Sequence, residues 1–153
     1  MIATHAVTIN GSFSGELKNP DLSIEDEIRR FLTSLDGVDI FAISLWELPA
    51  GKALDQVNHK RWPVEYIQCA GTADRMTVEV RRLESKQAHQ FVVAVSGEEV
   101  PATELIQWDA GRHSTKVRPS EVMSWDEAAD LFIAYYETGA VPSRYHLREL
   151  SLG

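Results

Sequence analysis

Two stretches of the chain repeat apolar residues at helical spacing, and the first lies near the N-terminus. Its apolar positions fall on one face at 3.6 residues per turn: Ile24, Ile28, Phe31, Leu32 and Leu35. Ser23 with Asp26 three residues later has the spacing of a capping box, and Gly37 follows as a C-terminal stop. The pattern predicts an amphipathic helix.

The second helical stretch follows Met123, which is placed to act as a hydrophobic staple. Ser124 and Glu127 have the spacing of another capping box, and Gly139 and Pro142 follow as a stop. The apolar stripe consists of Ala128, Ala129, Leu131, Phe132, Tyr135 and Tyr136. A second amphipathic helix is therefore predicted here.

Shorter apolar or alternating segments predict strands. In residues 75–84, Met76, Val78 and Val80 alternate with polar residues, as in a strand with one buried face. Further strands are predicted in residues 3–10, 38–48, 64–71, 90–97 (a central strand), 103–111, 113–119 and 143–150 (an edge strand). The segment NGSFSG, residues 10–15, has the composition of a turn.

The order of these elements predicts the fold class. Hairpin-like connections dominate and a regular βαβ alternation is missing, so the chain is expected to be α+β. We predict a mostly antiparallel sheet of about six to seven strands, with two amphipathic helices packed on one face. Residues 1–153 form a single domain in this interpretation, as the length allows.

Residues 49–63 interrupt the strand pattern between two prolines. A loop of this length is uncommon in a compact domain, so it is either a binding loop or a mobile crossover.

Charge and cysteine content narrow the classes of function. The net charge of −8 argues against nucleic acid as the main partner, because phosphates need a cationic surface. Such acidity either aids solubility or favours a basic partner. A single cysteine, Cys69, excludes an internal disulfide and multi-thiolate zinc sites. The absence of a signal-peptide pattern and of an 18-residue apolar run predicts a cytoplasmic protein with no membrane partner.

The chain carries no recognisable catalytic motif. Cys69 lies in an apolar strand, where a lone cysteine is usually a small buried hydrophobe. The five histidines are widely scattered, so neither a metal nor another cofactor is expected. Candidate partner-binding residues are instead aromatic or acidic groups where the strand pattern breaks. They are Trp62, Glu98, Glu99, Trp108 and Asp109.

The C-terminal stretch VRPSEVMSWDEAADLFIAYYETGAVPSRYHLREL resembles the closing pattern of the Imm1 family of immunity proteins. A strand ends in a proline-containing turn (residues 117–119), and a capped helix follows with an alanine pair and Phe132. Thr138, Gly139 and Pro142 then precede a last strand. The resemblance implies a non-enzymatic, cytoplasmic inhibitor that neutralises a cognate, basic secreted toxin domain by covering its active site. A monomer bound with 1:1 stoichiometry is the favoured form.

Two other functions remain open. An acidic secretion chaperone would bind an extended effector segment and form a stable homodimer. A small-molecule-binding or enzymatic domain would use residues 49–63 as a lid over a sheet pocket lined by convergent polar groups.

Overall fold

The computed structural model describes residues 2–151. The strands are β1 (His5–Ile9), β2 (Phe13–Glu16), β3 (Ala42–Glu47), β4 (Tyr66–Thr72), β5 (Arg75–Glu84), β6 (Gln87–Ala94), β7 (Glu104–Trp108), β8 (His113–Val117) and β9 (His146–Leu150). The helices are α1 (Ile24–Thr33) and α2 (Trp125–Thr138), with short 3-10 helices at Leu54–Gln56 and Pro119–Glu121.

Seven strands form one antiparallel sheet in the order β2-β1-β3-β4-β5-β6-β9, and β7 and β8 form a separate hairpin. The strand predicted in residues 90–97 lies inside the sheet, between β5 and β9, and the predicted final strand lies at its edge. The α+β prediction is confirmed.

The main core lies between the helices and one face of the sheet. Ile28 and Leu32 of α1 pack with Phe132 of α2 and with inward-facing strand residues such as Val78 and Val80. Phe132 is 1% exposed, as its position on the apolar stripe predicts. Both helices contribute to this single core, so they cover the same face of the sheet.

The opposite face of the sheet carries two smaller apolar clusters. At one end, the 49–63 loop places Val57 against Trp46 and Ala6. At the other, the β7–β8 hairpin places Ile106 and Val117 against Val92 of β6. The sheet face between these clusters includes half-buried polar side chains from neighbouring strands, among them Ser44, Gln68 and Glu79.

Strand β2 lies in the segment predicted as a turn, so that prediction is wrong beyond residue 12. Asn10 and Gly11 have φ of 56° and 70°, which reverses the chain at once. The following residues pair with β1, with Ser14 opposite Thr8. Serine and glycine lack the β-branched or aromatic character by which strands are recognised, so cross-strand pairing overrides local propensity here.

The ends of α1 agree only in part with the prediction. Ser23 Oγ accepts a hydrogen bond from the Asp26 backbone N–H at 3.1 Å, which confirms the cap. Ser34, rather than Gly37, caps the C-terminus, so the predicted stop is wrong. Gly37, with φ of 80°, instead turns the chain within the connection that leads to β3.

The predicted capping box of α2 is wrong in its hydrogen bonds. Ser124 occupies the N-cap position, but its hydroxyl donates to the carboxylate of Asp126. Glu127 accepts a hydrogen bond from the Tyr145 hydroxyl at 2.7 Å. The predicted end is confirmed, since Gly139 has φ of 75° and donates its N–H to Tyr135 O.

Candidate functional site

An open cleft of about 790 Å³ lies where the 49–63 loop folds over the sheet face opposite the helices. Its floor is formed by β1, β2 and β3, and its other side by the loop. The lining side chains include hydroxyls, two carboxylates, an imidazole and two indoles. They belong to Thr8, Ser14, Glu16, Trp46, Asp55, His59 and Trp62.

Trp46 anchors the floor of the cleft. It is fully buried, and its Nε1 donates to Thr8 Oγ1 at 2.9 Å. The hydroxyls of Thr8 and Ser14 are 2.8 Å apart, so the hydrogen-bonded chain runs from the indole to β2. The His59 ring meets the indole edge-on, with centroids 6.4 Å apart and planes at 90°. The floor is therefore a rigid arrangement of an aromatic ring and ordered hydroxyls.

Three contacts hold the loop over the sheet. Val57 is buried against the Trp46 cluster. Glu16 Oε2 accepts a hydrogen bond from the Leu54 N–H at 3.2 Å. Trp62 Nε1 donates to the carbonyl oxygen of Glu47 at 3.1 Å. These contacts argue against a mobile crossover.

Two carboxylates line the cleft, and one of them is already paired. The Leu54 N–H, followed by the Lys18 ammonium 3.1 Å from Glu16 Oε1, lowers the pKa of Glu16. Asp55 is exposed at the start of the short 3-10 helix and has no hydrogen-bond or ion-pair partner among residues 2–151. Among the described residues that line the cleft there is neither lysine nor arginine. The Asp55 carboxylate can therefore accept hydrogen bonds from a cationic group, and the Trp62 ring lines the same cleft.

The structure does not bring the five sequence-predicted residues together. Trp62 lines the cleft, beyond the end of β3 and just before β4. The other four lie towards the opposite end of the sheet. Trp108 and Asp109 belong to the β7–β8 turn, and Glu98 and Glu99 belong to the exposed segment after β6.

The β7–β8 turn is held by its own contacts. Trp108 stacks on His113 with ring centroids 6.0 Å apart, and it packs against the Val92 cluster. Asp109 accepts a hydrogen bond from Arg112 at 2.8 Å. The Ala110 N–H donates to the carbonyl of Gly37, which ties the turn to the connection after α1. The half-buried Trp108 thus has a structural role here, as a hairpin residue commonly does.

Most cleft residues were not singled out as candidates from the sequence. Thr8, Ser14 and Glu16 face the cleft only because β2 pairs with β1, and the strand character of β2 was hidden in a turn-like segment. Trp46 was visible as an aromatic residue in a predicted strand. Its relation to the 49–63 loop depends on tertiary packing.

The single thiol of the chain is shielded from solvent. Cys69 is buried, and burial raises the pKa of its thiol to about 12. Within residues 2–151 no group of three or more His, Cys, Asp or Glu side chains is placed to hold a metal ion. None of the helices in this part of the chain is long and apolar enough to span a membrane.

No protein-family profile matches the chain, and a comparison with curated proteins gives no match.

Proposed function

We propose that this protein is a non-enzymatic inhibitor of the immunity-protein type. It acts in the cytoplasm as a monomer and binds a cognate secreted toxin domain, whose active site it covers. The resemblance of residues 117–150 to the Imm1 family supports this function. The net charge of −8 argues against nucleic acid as the main partner, because phosphate contacts need a cationic surface.

The observation that carries the proposal is the composition of the open cleft. It presents the exposed carboxylate of Asp55 and the Trp62 indole, with no lysine or arginine among its described lining residues. An arginine or lysine side chain on a basic toxin surface would pair with Asp55 and stack on the indole. An open cleft suits side chains that protrude from a protein, whereas a small ligand is usually enclosed by its site.

The overall charge supports rapid capture of a basic partner. Complementary fields raise association rates, and they do so most strongly at low ionic strength. The short-range contacts in the cleft then determine how long the complex lasts, since differences among related complexes lie mainly in dissociation. The acidity and the aromatic cleft would therefore act at two successive stages of binding.

The proposal is tested with the toxin-like domain encoded next to this protein, produced in a bacterial host that it kills. Wild-type protein should protect the host and bind the purified domain with 1:1 stoichiometry. Asp55→Arg should abolish protection, because it places a cation in the cleft opposite the basic partner. Asp130→Arg makes the same charge change on the exposed side of α2 and should leave protection intact.

Full protection by Asp55→Arg, together with unchanged affinity, would exclude the cleft as the toxin-binding surface. Failure of the wild-type protein to bind any neighbouring toxin domain would contradict the function itself.

A second candidate function is supported by the same cleft. The hydroxyls of Thr8 and Ser14 line the same cleft as the imidazole of His59, which the 49–63 loop supplies, as expected for a small-molecule site with that loop as lid. A small polar ligand that raises the Tm of the wild-type protein, but not that of Ser14→Ala or His59→Ala, would favour this alternative.

A further inference from the structure

A second pocket, of about 390 Å³, lies on the helix side of the sheet beside α1. Ile9 of β1, Phe31 of α1 and Ile40 of the connection to β3 form its apolar walls. Its volume falls within the range of roughly 300–1,000 Å³ that is typical of small-ligand sites. It is separate from the cleft, which lies on the other face of the sheet.

A buried carboxyl group forms part of the wall of this pocket. Glu27 is 8% exposed, and its Oε1 is inaccessible to solvent without a hydrogen-bond partner in residues 2–151. Buried acceptors without a partner are uncommon in folded proteins, because the lost hydration is not replaced. The atom therefore calls for a donor that the described chain does not supply.

Two other oxygen atoms of the pocket already have partners. Asn19 Oδ1 accepts a hydrogen bond from the Asp21 N–H at 2.8 Å, and the Ser34 hydroxyl donates to the Phe31 carbonyl. Glu27 is thus the acceptor that a ligand would satisfy.

The charge around Glu27 selects a neutral donor. Burial raises the pKa of the Glu27 carboxyl, and the nearby positive charge of Arg30 offsets part of that effect. Because Arg30 also lines the pocket, its positive charge would repel a cationic ligand. Neutral N–H and O–H groups carry no such penalty.

The apolar surface continues from the pocket to the edge of the sheet. Phe13 of β2 is the cross-strand partner of Ile9, so the two side chains lie on the same face. Phe13 is 71% exposed. An aromatic ligand would therefore meet apolar surface both inside the pocket and next to it.

We propose that this pocket binds a neutral aromatic ring that carries one hydrogen-bond donor, as phenol does, with the ring between Ile9, Phe31 and Ile40 and the donor directed to Glu27. Such a group is either a free phenol-type compound or a tyrosine side chain of a bound protein. The inference does not depend on toxin binding.

The test compares phenol with toluene, which has the same shape but no donor. Both are titrated into the full-length protein and followed by heteronuclear NMR of the backbone amides. Phenol should give saturable shifts around residues 9–13, α1 and residue 40, and its affinity should exceed that of toluene by about tenfold. Toluene is the more apolar compound, so it would bind more tightly if the pocket were only an apolar cavity.

Two substitutions of Glu27 distinguish the contribution of its hydrogen bond to ligand binding from that of the apolar cavity. Glu27→Gln keeps an acceptor oxygen and should retain the preference for phenol. Glu27→Leu removes the acceptor and should reverse the preference in favour of toluene. If Glu27→Leu does not fold, the native protein and Glu27→Gln still decide the matter. Equal or tighter binding of toluene to the native protein, or no saturable shifts with phenol, overturns the proposal.

A capped Gly-Tyr-Gly peptide distinguishes the two sources of the phenol group. Binding of the peptide at least as tightly as phenol assigns the pocket to a tyrosine of a protein partner. Binding of phenol alone assigns it to a free compound.

Discussion

Glu121 and Arg148 form a bidentate ion pair across the structure. Arg148 Nε donates to Glu121 Oε2, and its Nη2 donates to Oε1, both at 2.8 Å. Glu121 Oε1 also accepts the Arg118 N–H at 2.7 Å, and the Glu121 side chain is 1% exposed. The pair joins the 3-10 helix before α2 to the edge strand β9.

Substitution of Arg148 should therefore lower the free energy of unfolding substantially. Arg148→Met leaves a buried carboxylate without its partner, and we expect the free energy of unfolding to fall by about 3–5 kcal/mol. Arg112→Met breaks an exposed pair with Asp109 and is the matched control, with an expected loss of about 0–1 kcal/mol. Urea unfolding monitored by tryptophan fluorescence measures both. Equal losses in the two variants would show that the burial of Glu121 does not matter.

His5 should make stability depend on pH. Burial lowers the pKa of His5, an effect that the charge of Glu47 partly offsets, and the ring lies 4.4 Å from that of Tyr136. Below about pH 6.5 the unfolded chain takes up a proton that the folded state resists, so stability falls as pH decreases. His5→Gln should flatten this fall between about pH 7.5 and about pH 5.5 in urea unfolding. His113→Gln, on the exposed hairpin, is the control, and equal slopes for His5→Gln and wild type would contradict the prediction.

Phe132→Ala should destabilise the protein by about 3–5 kcal/mol, because it removes a large side chain from the centre of the core. The residue is 1% exposed. Asp130→Ala, on the exposed side of the same helix, should change stability by less than about 0.5 kcal/mol. Guanidinium unfolding of both variants provides the measurement. A loss below about 1 kcal/mol for Phe132→Ala would mean that the core is not packed as described.

Cys69 should not react with alkylating agents in the native protein. Its thiol is buried and has a pKa of about 12, so the thiolate that reacts with alkylating agents is scarce. Iodoacetamide should modify the unfolded chain but not the native protein at neutral pH, as followed by mass spectrometry. Cys69→Ser should keep toxin protection, while the buried hydroxyl costs about 1–3 kcal/mol of stability. Loss of protection by a folded Cys69→Ser protein would favour an enzymatic function.

Trp62 lies in the cleft, whereas the other four candidate residues lie towards the opposite end of the sheet. Substitutions at the two places are therefore expected to change the binding kinetics differently. Trp62→Ala should speed dissociation of the toxin, with a loss of about 2 kcal/mol or more, because the indole lines the cleft. Trp108→Ala should leave dissociation nearly unchanged. The double substitution Glu98→Lys and Glu99→Lys should mainly slow association and weaken its salt dependence, since both side chains are exposed. Surface-immobilised kinetics at several salt concentrations measure all three. Faster dissociation of Trp108→Ala alone would place the interface at the hairpin.

The parts of the fold that were predictable share strong local signals. The stripe around Phe132 and the alternation of Met76, Val78 and Val80 each depend on one buried face, and these four residues are buried as expected. The other face of β5 was expected to be exposed, but Thr77 on that face is only 2% exposed. The stop at Gly139 was predictable because an αL position favours glycine.

The cleft was less predictable because its parts are distant in sequence. Thr8 and Trp46 meet through strand pairing, and Asp55 reaches them only when the 49–63 loop folds over β3. The Ser14 strand lacked a propensity signal altogether. Of the five candidate residues, Trp62 was the one that the loop length helped to place, because long ordered loops commonly carry binding groups.

The apolar cluster of Trp46 and Val57 is distinct from the main core beneath the helices. Side chains on the outer surface of the 49–63 loop can therefore change without repacking α1 or α2. If toxins diverge under selection, this segment can diversify with them while the scaffold keeps its thermodynamic stability. A chimera that carries residues 50–61 of a homologous protein would then bind the toxin of that homologue, although the rest of its sequence is unchanged.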